Sequence, residues 1–251
     1  MTFSLKTIRC ATAAGLVLAA VAFAPASAGA ASPVRPAHAS GPLGDERLSD
    51  EQTLTRYAHP YTTAVIRSRA SSKGHSVGRL HYHTEDGPLE VYIALESRVV
   101  HNVTWIQIRI PGRPNGRTGW VREEALGPLV IVRTALRINR TTLKATLYKD
   151  GKKIWQSPVG VGKASTPTPA GRFWIRERLK ALGSAYGPWA FGTSAYSILS
   201  DWPGGGVIGI HGTNEPSLIP GRPSHGCVRV PNAKISQLAR LMPVGTPVRI
   251  V

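Results

Sequence analysis

The sequence predicts a mainly β protein with one short helix near the C-terminus. Short runs of Val, Ile, Thr and Trp alternate with polar residues and stop at Gly, Pro or Asn, which is the period-two pattern of half-buried strands. Asp150-Gly151 separates two such runs, a strong short-range hairpin signal. One segment near the end has a helical period: Asn232 stands where a cap would, Ile235, Leu238, Ala239 and Met242 share a face, and Pro243 stops the run.

Taken in order, residues 1–28 have the composition of an export signal. Lys6 and Arg9 precede an apolar stretch from Ala11 to Phe23, and the small-residue run Pro25-Ala26-Ser27-Ala28 follows. The stretch is short for a bilayer span, which takes roughly 20 residues. Cys10 precedes most of it, whereas a lipoprotein cysteine would follow it. The expectation is a cleaved signal and a secreted, cell-wall protein that meets the membrane only during export. Residues 29–55, with Pro33, Pro36, Pro42 and Gly44 and no apolar period, read as a flexible tether. Residues 56–128 then supply short strands at 64–67, 89–93, 104–110 and 119–121, a spacing that suits a small barrel. His81 and His83 alternate on one strand face, but two histidines with no cysteine or third ligand fall short of a zinc site.

A second domain is expected over 129–251. Residues 129–132 read as a buried strand, and Leu143, Ala145 and Leu147 face one way across the hairpin that turns at Asp150-Gly151. The turn-rich loop at 166–171 precedes a strand at 172–175. Gly204-Gly205-Gly206 precedes the apolar strand at 207–210, which delivers His211 at its end, and residues 248–251 return as the last strand. Trp189, Tyr196 and Trp202 read either as a lid over a cleft or as core aromatics.

The chain carries a formal charge of +17, so it attracts polyanions. Arg67, Arg79, Arg98, Arg117, Arg137, Lys152 and Arg178 are scattered along it without a dense tract, which reads as a solvated basic surface. For an exported protein the relevant polyanions are those of the envelope, and nucleic acid is not expected as a partner.

With the signal removed, Cys227 is the one cysteine of the chain. No internal disulfide is then possible, so the thiol is either buried and inert or present to react. It stands in Ser224-His225-Gly226-Cys227-Val228-Arg229, sixteen positions after His211. A thiol becomes a good nucleophile when a neighbour stabilises its thiolate, and histidine is the usual agent. The pattern points to cysteine acyl transfer. No histidine follows Cys227, which excludes a papain-like order. A zinc site from His211, His225 and Cys227 is a rival reading, although it would quench the thiol, and a structural cysteine beside a core histidine is another.

Two resemblances carry the reading further. The Trp105 strand, the turn Arg113-Pro114-Asn115-Gly116 and the Thr118-Gly119-Trp120-Val121 strand resemble the closing hairpin of bacterial SH3-like modules, which implies a binding role for 56–128 as a small SH3-like β-barrel. The run Ser157-Pro158-Val159-Gly160-Val161-Gly162, the turn Thr168-Pro169-Ala170-Gly171, Ile210-His211-Gly212-Thr213 and the Cys227 signature resemble the L,D-transpeptidase (YkuD-type) catalytic domain from residue 129 to the end.

That second resemblance implies a β-sandwich-like catalytic domain that needs no cofactor and cross-links peptidoglycan stem peptides through a thioester, with release of D-alanine. It implies Cys227 as nucleophile, His211 as base and the Gly212 carbonyl as the group that orients it. Ser224, His225, Gly226 and Arg229 are then expected around substrate and oxyanion. Gly226 lets the backbone approach closely, the amides from His225 to Cys227 donate to the oxyanion, and the Arg229 fork suits a stem carboxylate. Acylation of Cys227 by carbapenem antibiotics is implied as well, and anionic wall polymers are a further expected partner. Water as acceptor would instead make the protein an L,D-carboxypeptidase; a non-catalytic wall-binding protein is the alternative from another class.

Overall fold

The computed structural model describes residues 43–251 apart from 181 and 202. The expected signal at 1–28, the first part of the tether and Trp202 lie outside the described residues.

Two sheets are built one after the other along the chain. The first contains β1 (Glu46–Arg47), β2 (Thr55–Ala58), β3 (Val65–Arg67), β4 (Ser76–Arg79), β5 (Tyr92–Val100), β6 (Val103–Arg109), β7 (Thr118–Arg122) and β8 (Val130–Val132). They run in the order β4-β3-β7-β6-β5-β2-β8, with β1 on β5, and every pairing is antiparallel. Ile66, Leu80, Tyr92, Ile106, Ile108, Val121 and Leu126 form its core, as the alternating pattern requires.

The second sheet contains β9 (Thr134–Asn139), β10 (Lys144–Lys149), β11 (Lys152–Pro158), β12 (Gly160–Gly162), β13 (Gly171–Lys180), β14 (Trp189–Tyr196), β15 (Val207–His211), β16 (Gly221–Ser224), β17 (Val228–Arg229) and β18 (Pro247–Ile250). Their order is β11-β10-β9-β18-β13-β14-β15-β17-β12-β16. The pairs β9–β18, β15–β17 and β12–β16 are parallel. The helix α1 (Asn232–Leu241) buries Ile235, Leu238 and Ala239 against this sheet's core.

The described β elements depart from expectation at three points. Residues 43–55, the latter part of the expected tether, are ordered: β1 pairs with β5, and Leu48 is fully buried. The run at 129–132 is not a buried start of the second domain; β8 is an edge strand of the first sheet with Val130 and Ile131 exposed. The strand expected at 89–93 begins instead at Tyr92 and continues to Val100, through the polar residues Glu96, Ser97 and Arg98 that hide it in the sequence. The Asp150-Gly151 turn forms as expected, with positive φ at both residues and a two-residue loop between β10 and β11.

The seam between the sheets is polar as well as apolar. Trp174 Nε1 donates to the Val91 carbonyl (2.7 Å) and packs with Tyr57, Ile93 and Val132. Beside it, Arg176 is buried and engages Glu90 through both oxygens, Nε–Oε1 at 2.8 Å, and Glu85 at 2.9 Å. The Tyr196 hydroxyl donates to Glu85. Desolvation would lower the Arg176 pKa, but its carboxylate partners more than offset it, so the guanidinium is held charged. Glu177, next along β13, faces Thr84 and Asp86. Burial raises its carboxyl pKa to about 7 and Asp86 adds to that rise, while the Thr84 hydroxyl, donating at 2.5 Å, opposes it.

Candidate active site

The parallel pairing of β15 with β17 brings the reactive residues together, because Ile210 lies opposite Val228 and His211 opposite Arg229. His211 ends β15 and Cys227 stands immediately before β17. Gly209, two residues before the histidine, donates its N–H to Cys227 Sγ at 3.3 Å. A Cβ on Gly209 would lie 3.5 Å from His211 Cδ2 and 3.8 Å from Cys227 Sγ, so this glycine faces the space shared by the pair.

The turn before Cys227 is braced from both sides. Gly226 has φ +129°, and a Cβ there would fall 2.7 Å from Ile208 Cδ1, so both backbone conformation and space call for glycine. Ser224 is buried; its hydroxyl donates to the Cys227 carbonyl (2.6 Å) and accepts from the Gly226 N–H (3.1 Å). Thr168, also buried, donates to the Gly226 carbonyl (2.7 Å) and accepts from the Gly162 N–H (2.9 Å). The peptide unit is planar, so fixing the Gly226 carbonyl turns the Cys227 N–H the opposite way. Ser224, expected near substrate, spends its hydroxyl on bracing the turn, and the Gly226 amide, expected at the oxyanion, is engaged by Ser224.

His211 Nδ1 lies 2.6 Å from the Gly212 carbonyl, an acceptor that places the proton on Nδ1 and leaves Nε2 unprotonated. Asn232 secures that carbonyl. It does not cap the helix, whose cap position is Pro231 and has no side-chain bond; its Oδ1 accepts the Thr213 N–H at 2.8 Å. The Gly212 carbonyl and the Thr213 N–H belong to one peptide, so holding the N–H aims the carbonyl. Burial pushes the His211 pKa below the ordinary histidine value, and it pushes the Cys227 thiol up, against the opposing pull of the Gly209 N–H and the Arg229 charge. Both displacements favour neutral imidazole with neutral thiol in the resting site.

Around the pair, the Tyr186 ring lies 4.9 Å from the His211 ring, centroid to centroid. Arg229 Nη1 bonds Glu215 Oε2 at 2.6 Å, so its fork is already engaged by a carboxylate of the chain. His225 is exposed, and its Nε2 lies 3.1 Å from Lys163 Nζ. Tyr196 belongs to the seam and not to a lid, and Trp189 packs against the core beneath Arg178 and Lys180. Among the described residues, no cluster of three or more His, Cys, Asp or Glu side chains is arranged to hold a metal.

The first sheet reaches the site through one hairpin. Arg113 donates to the carbonyls of Ser197 (2.7 Å), Leu199 (2.9 Å) and Gly205 (2.8 Å), and Asn115 exchanges two 2.9 Å bonds with the Tyr196 backbone. The segment held this way includes Ser197, whose side chain borders Gly226. The sequence-based reading gives none of Gly209, Thr168, Asn232, Tyr186 and Arg113 a part in the site, although it singles out Asn232 as a helix cap and Thr168 and Arg113 within turns. Only Thr168 lies in a motif that could have signalled its role.

The thiol just before β17 and the backbone-oriented imidazole at the end of β15 are placed as a candidate nucleophile and base. The comparisons agree with this class: residues 133–250 match the YkuD family model, the L,D-transpeptidase catalytic domain. YkuD of Bacillus licheniformis, assigned as an L,D-transpeptidase, is 36% identical over 118 residues, covering 47% of this chain and 64% of that protein. YkuD of Bacillus subtilis, with the same assignment, is 34% identical over 116 residues, 46% of this chain and 63% of that one. The matches therefore span just under two thirds of each relative. Among solved structures, Ldtfm as its avibactam carbamoyl enzyme is 26% identical with a TM-score of 0.39, covering 47% of this chain and 48% of that one.

Proposed function

We propose that the protein is an exported L,D-transpeptidase that cross-links peptidoglycan stems through a Cys227 thioester. The observation that carries this reading is the Gly212–His211–Cys227 arrangement within a region that matches the catalytic-domain family. Cys227 Sγ attacks the carbonyl carbon of the peptide bond between the third stem residue and the terminal D-alanine. His211 Nε2 takes the thiol proton and delivers it to the departing D-alanine amine as the C–N bond breaks. An amine of a second stem then attacks the thioester and gives its proton to His211, which returns it to the thiolate. The Cys227 N–H is the turn amide available to the oxyanion, and one such donor contributes about 3 kcal/mol.

Several further readings attach to this proposal. The strands of 56–128 form an SH3-like binding module, and Arg113 and Asn115 give that module a second task beside the cleft. Because Arg229 is paired with Glu215, a stem carboxylate would meet this ion pair and not a lone cation, while the exposed Lys163–His225 pair offers positive charge at the rim. Carbapenems acylate the same thiol. The test is mass spectrometry of products after mixing the protein, freed of residues 1–28, with a purified disaccharide-tetrapeptide. Dimers joined between two third-position diamino acids are expected. Tripeptide and free D-alanine without dimers would make it a carboxypeptidase, and unchanged substrate would leave a wall-binding protein.

A further inference from the structure

The fold gathers into one row three arginines that the sequence scatters. Arg137 of β9 lies opposite Arg249 of β18, and Arg249 lies opposite Arg172 of β13. Residues in register on adjacent strands project from the same face, so three guanidinium groups leave one face at successive strand spacings of about 4.8 Å. All three residues are exposed. Like charges directly opposite one another are unfavourable in a sheet. Of these three, only Arg172 has an ion-pair partner among the described residues, Glu51 at 3.4 Å, and Glu51 is already held by Arg109 at 2.6 Å.

The row lines a groove of about 570 Å³ together with residues 50–53, Tyr148 and Gly151. The groove's two acids are held by the chain itself. Glu51 is bound to Arg109, and Asp50 accepts the amides of Gln52, Thr53 and Leu54 and the Thr53 hydroxyl. Strands β14 and β15 separate β13 from β17, so this groove is not the cleft of Cys227.

We infer that this groove binds a linear phosphodiester polymer, with successive phosphates meeting Arg137, Arg249 and Arg172. Three cations repeated on neighbouring strands suit a chain of repeated anions more than a single compact anion. A diester phosphate keeps its charge at every physiological pH and presents two equivalent oxygens to the planar arginine fork. Its identity as an envelope polymer rests on the proposed export, whereas the phosphate chemistry does not.

The test measures binding of fluorescent poly(glycerol phosphate) to the whole chain at low and at physiological salt. The double variant Arg137→Ser/Arg249→Ser should bind at least about tenfold more weakly, with a shallower salt dependence. Lys73→Ser/Arg240→Ser has the same net charge and should change binding less than about twofold. Arg137→Lys/Arg249→Lys keeps the charge without the forks and should fall between them. Equal losses in the two serine variants, or no binding by the unaltered protein, would overturn the proposal. So would tighter binding of a single-stranded oligonucleotide with the same number of phosphates through the same arginines. Release of D-alanine from tetrapeptide, measured in parallel, should be unchanged in the serine variants. Its absence in the unaltered protein would defeat the enzymatic reading and leave the groove result standing.

Discussion

In the seam between the sheets, Arg176 and Glu90 are buried as an ion pair, and the exposed Glu85 brings a second carboxylate to the same guanidinium. At the reactive turn, Cys227 and His211 are buried with both pKa values displaced toward the neutral forms. The seam has a fixed charge pattern that dictates how one sheet meets the other, since removing either partner strands a charge away from water. At the turn both displacements favour the uncharged pair, so in the proposed reaction charge develops only as the thiol attacks, where the Cys227 amide is the donor proposed to meet it. Burial thus serves registration in one region and reactivity in the other.

The seam is the place to break this contrast hardest. Replacing Glu90 by Gln leaves the buried Arg176 guanidinium with only the exposed Glu85 as counter-charge and should cost about 3 kcal/mol or more of stability, read as a fall in denaturation midpoint. A midpoint within a few tenths of a kcal/mol of the unaltered protein would mean the seam tolerates unpaired charge. At the turn, Asn232→Ala frees the Gly212–Thr213 peptide and should lower kcat by about tenfold while costing only about 1 kcal/mol of stability, the scale of one hydrogen bond. A purely structural Asn232 would lower the midpoint and leave kcat intact.

Two pH measurements sharpen the comparison. Neutral His211 is the base and its pKa is lowered by burial, so the acid limb of kcat/KM should fall below the ordinary histidine value of about 6.5. A limb above that value would indicate an imidazolium stabilised by thiolate. The smallest effect belongs to Glu177, whose folded pKa of about 7 exceeds its unfolded value, so the folded state holds the extra proton. Its contribution is therefore present at acid pH and lost as pH rises toward and through 7. Glu177→Gln should remove about 1 kcal/mol of that loss, seen as a flatter stability profile between pH 5 and 8.

The catalytic pair is legible in the sequence because its chemistry sits in six consecutive residues and one strand end, with the Gly212 carbonyl adjacent to His211. The strand pattern and the Asp150-Gly151 turn are legible for the same local reason. Arg176, Glu90 and Glu85 are not, because nothing in a run of single charges says which of them will meet across a seam. Asn232 shows how a local rule can mislead: its position is that of a helix cap, but its carbonyl oxygen serves the Thr213 amide nineteen residues earlier. Ser224 lies inside the signature and suggests substrate contact, yet the tight turn at Gly226 folds its hydroxyl inward. The scattered arginines read as ordinary surface until the register of β9, β18 and β13 aligns three of them.

The central claim is that Cys227 carries the acyl group, and intact-mass spectrometry of the protein mixed with disaccharide-tetrapeptide tests it most directly. The account predicts a mass gain equal to the stem less D-alanine, mapping to the Cys227 peptide and absent from Cys227→Ala, which should also lose turnover by about 10³-fold or more. A Cys227→Ala protein that still releases D-alanine, or an adduct mapping to another residue, would contradict it.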